Sequence, residues 1–336
     1  MKNKEDTVSK FCVPYISRTA LYGVLLALVC SFFVVSCKKF TASPVHLCLV
    51  LDRPANPNHI PLYVGNALGY FKEAGIFIDI QKPTTDSTLA QLQEGTADLA
   101  LASLPRVFQT IGRKGSVAVV GKLIDKPTKG FLTLKSSGLK SVQDFNGRIM
   151  GYDGAYSILP SAEVVLAKKN VQLGCRLNLE TQAVNELVSK KIDIIYGALS
   201  NLEPEYLKSM GHKVHFFLAA DMEMPMYDEI VVVAHSSMKR NKDMMISFQK
   251  ALQKSIDFCR SKPQLAFEMY ANLLHNKSRN QVMWEEISWE KTVPLLAESQ
   301  QFSYERVQIL ADWYYENGLV GTAIAITPQF IPALTK

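Results

Sequence analysis

The amino-acid sequence predicts an α/β protein made of two lobes, with a helical segment at its carboxyl end. Three observations support this fold class. From Val45 onward, short apolar runs alternate with longer helix-like stretches; the alternation occurs in two successive cycles; and only helix-like stretches follow residue 236. Alternation of this kind is typical of βαβ units and mostly parallel sheets. A chain of 336 residues is long enough for one or two such domains with a buried core.

The first cycle of alternation runs from residue 45 to residue 135. Its apolar runs predict strands, and the stretches with apolar residues at every third or fourth position predict helices. The predicted strands are 45–51, 76–80, 97–102, 117–123 and 130–135, and the predicted helices are 60–72, 86–94 and 104–113.

The second cycle begins at residue 147 and leads back to the first. The predicted strands are 147–154 (ending in a glycine-marked turn), 176–180, 192–197, 214–219 and 230–235; the predicted helices are 158–169, 183–190, 201–209, 237–259, 263–274, 279–297 and 303–317. We therefore expect residues 45–135 and 229–336 to form the first lobe, and residues 136–228 the second. Two lobes joined by two crossings can hinge, with a ligand held in the crevice at the carboxyl ends of the strands.

Residues 1–36 predict a lipoprotein signal peptide. A basic start precedes an apolar run that is short for a membrane-spanning helix, which needs about 20 residues. The run ends in Val34-Val35-Ser36-Cys37, which resembles a bacterial lipobox, whose cysteine is lipidated; residues 37–44 would then be a short tether. The alternative is a retained anchor helix flanked by Lys38-Lys39. Either way, we expect the rest of the chain outside the cytoplasm, on the periplasmic or cell-surface side of a bacterial membrane.

Charge and cysteine content exclude several classes of site. The formal net charge of +6 is small and scattered, which argues against a nucleic-acid-binding surface. Besides Cys37, the cysteines of the predicted mature chain are Cys48, Cys175 and Cys259, far apart and without a CxxC or histidine pairing. That spacing favours neither a disulfide framework nor a metal site. The sequence contains neither a GxGxxG motif nor a Walker motif, so it does not indicate a nucleotide-binding site.

Several blocks of sequence, in order, carry a resemblance to a known family. They are "LVLDRPANPNHIPLYVGNALGYFKEAGIFIDI", "LAQLQEGTADLALAS", "GKLIDKPTKGFLTLKSSGLKSVQDFNGRIMGY", "IDIIYGALSNLEPEYL" and "MYDEIVVVA". Together they resemble the thiamine-pyrimidine-synthase-like superfamily of ABC-transporter solute-binding proteins, which also includes sulfonate, taurine and nitrate receptors. The resemblance implies a periplasmic-binding-protein fold whose helical carboxyl segment packs on the first lobe. It also implies a monomeric receptor without a cofactor that delivers a small solute to an ABC permease and its ATPase.

The same superfamily has a fungal branch of enzymes that make the thiamine pyrimidine. In those enzymes the pattern has a lysine that carries pyridoxal phosphate, followed by a histidine; this chain has Ala102 and Arg106 at the two positions. The alanine side chain has no amine, so it cannot form a Schiff base with pyridoxal phosphate. The clustered cysteines of the enzymes are replaced by "EMPMYDE" (223–229). We therefore expect a binding protein rather than an enzyme.

Candidate ligand-binding residues lie where predicted strands end. They are Asn58, His59, Ser103, Tyr152, Gly154, Tyr156, Tyr196, Asn201, Glu203, Tyr227 and Glu229. Structural roles are the alternative for several of them. Asn58 or Asn201 would cap a helix, Glu203 would complement a helix dipole, and the tyrosines would pack in the core.

The residue types favour an aminopyrimidine related to thiamine precursors. Tyrosine rings such as Tyr196 and Tyr227 can stack on a flat ring, while Glu or Asn accepts from its exocyclic amine. A sulfonate or nitrate would instead need several donors and positive charge. Glu203 and Glu229 together favour the pyrimidine, and a sulfonate, taurine or nitrate receptor is the alternative. A further alternative is a surface lipoprotein that has kept the fold but no longer binds a solute.

Overall fold

A computed structural model describes residues 45–83, 87–152, 159–179, 182–225, 230–235, 241–273 and 277–328. The predicted signal peptide, the tether and Cys37 lie outside the described residues, as do Gly154, Tyr156, Tyr227 and Glu229. Among the helices that the structure describes, none has both the length and the apolar character that a membrane crossing requires.

The described residues form ten β-strands and eleven α-helices. The strands are β1 (Val45–Val50), β2 (Ile76–Gln81), β3 (Leu99–Ala102), β4 (Val117–Ile124), β5 (Lys129–Leu134), β6 (Ile149–Tyr152), β7 (Cys175–Asn178), β8 (Ile194–Leu199), β9 (Val214–Leu218) and β10 (Ile230–His235). The helices are α1 (Ile60–Ala67), α2 (Tyr70–Glu73), α3 (Thr88–Glu94), α4 (Leu104–Gly112), α5 (Leu159–Lys168), α6 (Ala183–Val188), α7 (Glu203–Ser209), α8 (Lys242–Ser261), α9 (Pro263–Leu273), α10 (Arg279–Thr292) and α11 (Tyr304–Glu316).

The first sheet has the strand order β2-β1-β3-β10-β4. Strand β1 runs parallel to β2 and β3, whereas β10 runs antiparallel to both β3 and β4. Strand β4 is buried at all its positions, as expected for a strand in a sheet with helices on both faces. Helices α1 and α8 pack on one face and α4 and α11 on the other. We call this sheet with its helices the first lobe.

The second sheet has the order β7-β6-β8-β5-β9 and, with α5, α6 and α7, forms the second lobe. Strand β5 pairs antiparallel with β8 and β9. Residues 129–134 were expected in the first lobe, so the predicted lobe boundary at residue 135 is one strand too late. An apolar run shows that a strand forms, but it does not show which sheet the strand joins. The first crossing therefore lies between Ile124 and Lys129.

The start of helix α1 is fixed by local hydrogen bonds. The Asn56 side chain accepts from the Asn58 N–H, and the Asn56 N–H donates to the His59 ring. Helix α1 ends before Gly69, whose φ of +74° requires the left-handed region. The expected single helix 60–72 is therefore two helices.

Helices of the carboxyl segment pack on the first lobe and also reach the second. The Trp284 ring of α10 lies 5.3 Å from the Tyr206 ring of α7. The Lys168 ammonium, at the end of α5, lies 5.4 Å from the Trp313 ring of α11. The carboxyl segment therefore contacts both lobes.

Candidate functional site

The candidate site lies where the carboxyl ends of strands from both lobes approach one another. Strands β1 and β3 of the first lobe lead to His59 and Ser103, and strands β6 and β8 of the second lead to Tyr152 and Asn201. In open α/β sheets, this end of the strands is where ligands bind.

The His59 ring is fully buried and has both of its nitrogens bonded within the protein. Its Nδ1 accepts from the Asn56 N–H at 3.3 Å, so the proton sits on Nε2, which donates to Asp52 Oδ1 at 2.9 Å. No ring nitrogen is left for a solute in this arrangement. The structure therefore does not support the expected contact between His59 and a solute; His59 instead orients Asp52.

Asp52 is held ionised by its neighbours. Burial of its carboxyl disfavours the charged form, but the hydrogen bond from His59 and the positive charge of Arg53 outweigh this effect and lower the pKa. The Arg53 Nε lies 3.6 Å from Asp52 Oδ2.

Glu203 is bonded through both carboxylate oxygens. Its Oε1 accepts from Arg53 Nη1 at 3.2 Å, and its Oε2 accepts from the Leu199 N–H at 2.7 Å. The carboxylate is thus paired with a cation and a main-chain donor within the protein. Sequence reasoning missed Arg53. The available signal was the charged pair Asp52-Arg53 immediately after a buried strand.

Asn58 and Asn201 form a buried hydrogen bond between the lobes. The Asn201 amide nitrogen donates to Asn58 Oδ1 at 2.7 Å and to Thr292 Oγ1 at 2.6 Å, while Thr292 donates to the Ser288 carbonyl at 2.8 Å. Asn58 is 0% exposed and Asn201 1%. Neither caps a helix. Asn56 is the capping residue of the short 3-10 turn Pro57–His59 that precedes α1, and the cap residue of α7 is Leu202. The expected capping roles are wrong, and the expected solute contact is not seen.

Tyr196 belongs to the core. Its side chain is 1% exposed, its ring centroid lies 4.9 Å from that of Phe131, and its hydroxyl is 2.8 Å from Ser161 Oγ. The expected stacking of Tyr196 on a solute therefore does not agree with the structure. The apolar run that ends in Tyr196 is buried on both faces, and periodicity cannot distinguish such a run from one that ends at an open crevice.

Ser103 and Tyr152 remain candidates for solute contact. Ser103 directly precedes α4, is partly exposed and makes no capping hydrogen bond. Tyr152 ends β6, is partly exposed and pairs in register with Asn178 and Tyr196. Ala102, at the position of the enzyme lysine, is buried at the end of β3.

Solved structures with low sequence identity share the fold. The alkanesulfonate-binding protein SsuA from Xanthomonas axonopodis pv. citri, bound to MOPS, matches with a TM-score of 0.67 and 14% identity, covering 87% of this chain and 99% of that one. The periplasmic aliphatic sulphonate binding protein SsuA from Escherichia coli matches with a TM-score of 0.65 and 15% identity, covering 86% and 98%. The predicted periplasmic-binding-protein fold is thereby confirmed.

Sequence relatives cover most of the chain. A Haemophilus influenzae protein named for thiamine biosynthesis is 25% identical over 288 residues, 83% of this chain and 90% of the relative. The formylaminopyrimidine-binding protein of Halalkalibacterium halodurans is 25% identical over 292 residues, 83% and 86%. The 4-amino-5-hydroxymethyl-2-methylpyrimidine phosphate synthase THI11 of Saccharomyces cerevisiae is 26% identical over 243 residues, 67% and 70%.

A sequence profile described as NMT1/THI5 like matches residues 56–266. This span includes β2 to β10 and all of the candidate residues named above. The expected superfamily is thereby confirmed: the chain belongs to the NMT1/THI5-like family.

Proposed function

We propose that the protein is the exported solute-binding component of an ABC importer and that it binds an aminopyrimidine related to thiamine precursors between its lobes. The observation that carries this proposal is the similarity to the formylaminopyrimidine-binding protein over 83% of the chain, so that both lobes are included. The periplasmic-binding-protein fold supports it, because two hinged lobes can enclose a small solute.

Binding rather than catalysis is supported by the residue at the end of β3. The pyridoxal-phosphate enzymes of the superfamily, as the resemblance implies, need an amine at this position, whereas Ala102 offers a methyl group. We propose that the protein carries no cofactor and that its partners are a membrane permease and an ATPase.

Export and anchoring are proposed from the amino-terminal sequence. Cys37 would carry the lipid, and residues 37–44 would tether the lobes at the periplasmic or cell-surface side of the membrane. A monomer is sufficient for this role, because one pair of lobes encloses the solute.

A sulfonate receptor is the second candidate. The SsuA structures share the fold, and the Arg53 guanidinium lies at the end of β1, where it could pair with an anion. However, Arg53 is already paired with Glu203 at 3.2 Å and lies beside Asp52. Because the carboxylates of Asp52 and Glu203 already balance the positive charge of Arg53, this part of the site favours a neutral solute over an anion.

A thermal-shift panel tests the proposal. We would compare 4-amino-5-hydroxymethyl-2-methylpyrimidine, a formylaminopyrimidine, thiamine, taurine and an aliphatic sulfonate, each at several concentrations. A solute at 100 times its Kd should stabilise the fold by about 2.7 kcal/mol. Stabilisation by sulfonates alone would contradict the proposal that the solute is an aminopyrimidine. Absorbance of bound pyridoxal phosphate after reconstitution would overturn the assignment as a binding protein.

Tyr227 and Glu229 are proposed solute contacts that lie outside the described residues. Tyr227→Ala and Glu229→Ala should each weaken pyrimidine binding at least about tenfold, which corresponds to about 1.4 kcal/mol, in a folded protein. Titration calorimetry measures this, and unchanged affinity in both variants removes them from the site.

A further inference from the structure

We propose that five residues lock the two lobes in the closed arrangement and set the solute affinity without touching the solute. The interlobe lock consists of Arg53, Asn58 and Thr292 in the first lobe and of Asn201 and Glu203 in the second. Only its effect on affinity rests on the proposed function; its effect on the lobes does not.

The first part of the lock is the ion pair between Arg53 and Glu203, 3.2 Å apart. Each partner is held within its own lobe: Arg53 by the Asp52 carboxylate that His59 orients, and Glu203 by the Leu199 N–H. The side chains are 12% and 23% exposed, so salt screens the pair less than a surface pair. Because both ends are fixed in advance, closing the lobes orders few additional side-chain rotations.

The second part of the lock is the Asn201 amide group, which donates both of its hydrogens to the opposite lobe. One goes to Asn58 Oδ1 and one to Thr292 Oγ1. The Thr292 hydroxyl donates to the Ser288 carbonyl at 2.8 Å, which turns its lone pairs toward Asn201. This geometry exists only while Asn201 lies against the first lobe.

Two atoms of the same network keep the lock from being too stable. Within the described part of the chain, the Asn58 Nδ2 and the Asn201 Oδ1 are buried and have no hydrogen-bond partner. A buried polar atom without a partner destabilises the arrangement that buries it, and water can satisfy it once the lobes separate. The lock therefore combines strong bonds across the lobes with two unsatisfied atoms, as suits lobes that must both close and reopen.

The position of the lock separates it from solute contact. Asn58, Asn201 and Thr292 are all buried, and each Glu203 oxygen already accepts a hydrogen bond from a protein donor. A solute gains from the lock indirectly, because its apparent Kd equals the intrinsic Kd divided by the fraction of molecules that are closed.

Small-angle X-ray scattering of the solute-free protein tests the lock. Glu203→Gln removes the ion pair, Asn201→Ala removes both amide bonds, and Thr292→Val is a milder change that removes one acceptor. Glu163→Gln is the matched control, because Glu163 pairs with Arg176 within the second lobe alone. We expect a larger radius of gyration and a longer maximum dimension in the three lock variants and no change in Glu163→Gln.

Unchanged scattering curves in Glu203→Gln and Thr292→Val, with native circular dichroism, would overturn the lock. For a solute that binds the wild type, we expect the lock variants to raise Kd about tenfold through faster dissociation, with little change in association. Equal dissociation rates would overturn the effect on affinity. If no pyrimidine binds the wild type, the proposed function fails, whereas the scattering result still decides the lock.

Discussion

The side-chain amide of Gln300 pairs with both main-chain polar groups of Lys122. Its Oε1 accepts from the Lys122 N–H at 2.8 Å, and its Nε2 donates to the Lys122 carbonyl at 3.1 Å. Lys122 lies in β4, an edge strand of the first sheet. Gln300 thus takes the place of a neighbouring strand, and Ala297, which donates to the Leu123 carbonyl at 2.9 Å, extends the cover. An edge protected in this way is closed to pairing with other chains.

Gln300→Leu should lower the free energy of unfolding by about 1–3 kcal/mol, because it removes both hydrogen bonds from Gln300 to the buried main chain of Lys122. Urea denaturation followed by circular dichroism measures this. The neighbouring Gln301, which is exposed, provides the control Gln301→Leu. Equal stability of the two variants would show that the edge does not depend on Gln300.

Glu285→Gln should lower the free energy of unfolding by about 3–5 kcal/mol, the range seen when one partner of a buried ion pair is removed. Glu285 bonds Lys277, whose Nζ also lies 3.0 Å from the Tyr270 hydroxyl, and the two charged side chains are 2% and 9% exposed. Glu290→Gln, on the exposed face of the same helix, is the control. A loss below about 1 kcal/mol in Glu285→Gln would mean that water reaches Lys277 in solution.

Asp52→Asn should destabilise the protein at neutral pH and lose its effect in acid. The folded-state pKa of Asp52 is lowered, so ionised Asp52 stabilises the fold above about pH 4, its ordinary pKa, and this stabilisation is lost as the pH falls through the folded-state pKa. Because a hydrogen bond to a charged group is involved, we expect a loss of about 1.5–3 kcal/mol at pH 7. Denaturation curves from pH 3 to pH 8 measure it, with exposed Asp257→Asn as control. A difference that stays constant across this range would contradict the assignment.

Tyr196→Phe should cost about 0.5–1.5 kcal/mol of stability, since it removes the buried hydrogen bond between the Tyr196 and Ser161 hydroxyls. It should leave solute affinity unchanged. Tyr152→Phe, at the end of the neighbouring strand β6, is the paired variant and should weaken binding if its hydroxyl contacts the solute. Calorimetric titration of both variants measures the contrast. A large loss of affinity in Tyr196→Phe would indicate that the Tyr196 hydroxyl contacts the solute.

Gly65→Ala should destabilise the protein by about 1–3 kcal/mol through overpacking. A Cβ on Gly65 would lie 2.6 Å from the Phe71 ring and 3.0 Å from Ser255 Oγ, where α1 meets α8. The control is Gly321→Ala, whose added Cβ meets nothing within 4 Å. Thermal unfolding compares them, and a Gly65→Ala midpoint at or above that of the control would refute close packing at this crossing.

The sequence was sufficient to predict the order of most strands and helices, because buried strands and amphipathic helices leave different periodicities. It could not predict that β5 joins the second sheet, since pairing depends on β8 and β9, which follow about 60 residues or more later in the chain. It also did not predict that helix 60–72 is interrupted at Gly69, where a positive φ ends the first helix.

The site was predicted by position better than by role. Asn58, Asn201 and Glu203 do lie at strand ends where the two lobes meet, yet their polar groups bond one another or other protein groups. A side chain that binds a solute and one that binds the opposite lobe have the same polarity and the same place in the sequence. Only the distances between residues far apart in the chain, such as the 2.7 Å from Asn58 to Asn201, distinguish them.

Strand β10 lies between β3 and β4 in the first sheet, although it follows them by more than 100 residues. As the chain is synthesised, the edges of β3 and β4 that pair with β10 therefore stay unpaired until the whole second lobe has been made. Domains generally fold as units once they are complete. The second lobe can thus be completed before the first. During that interval the strands β3 and β4 are the part of the nascent chain that most needs protection from aggregation.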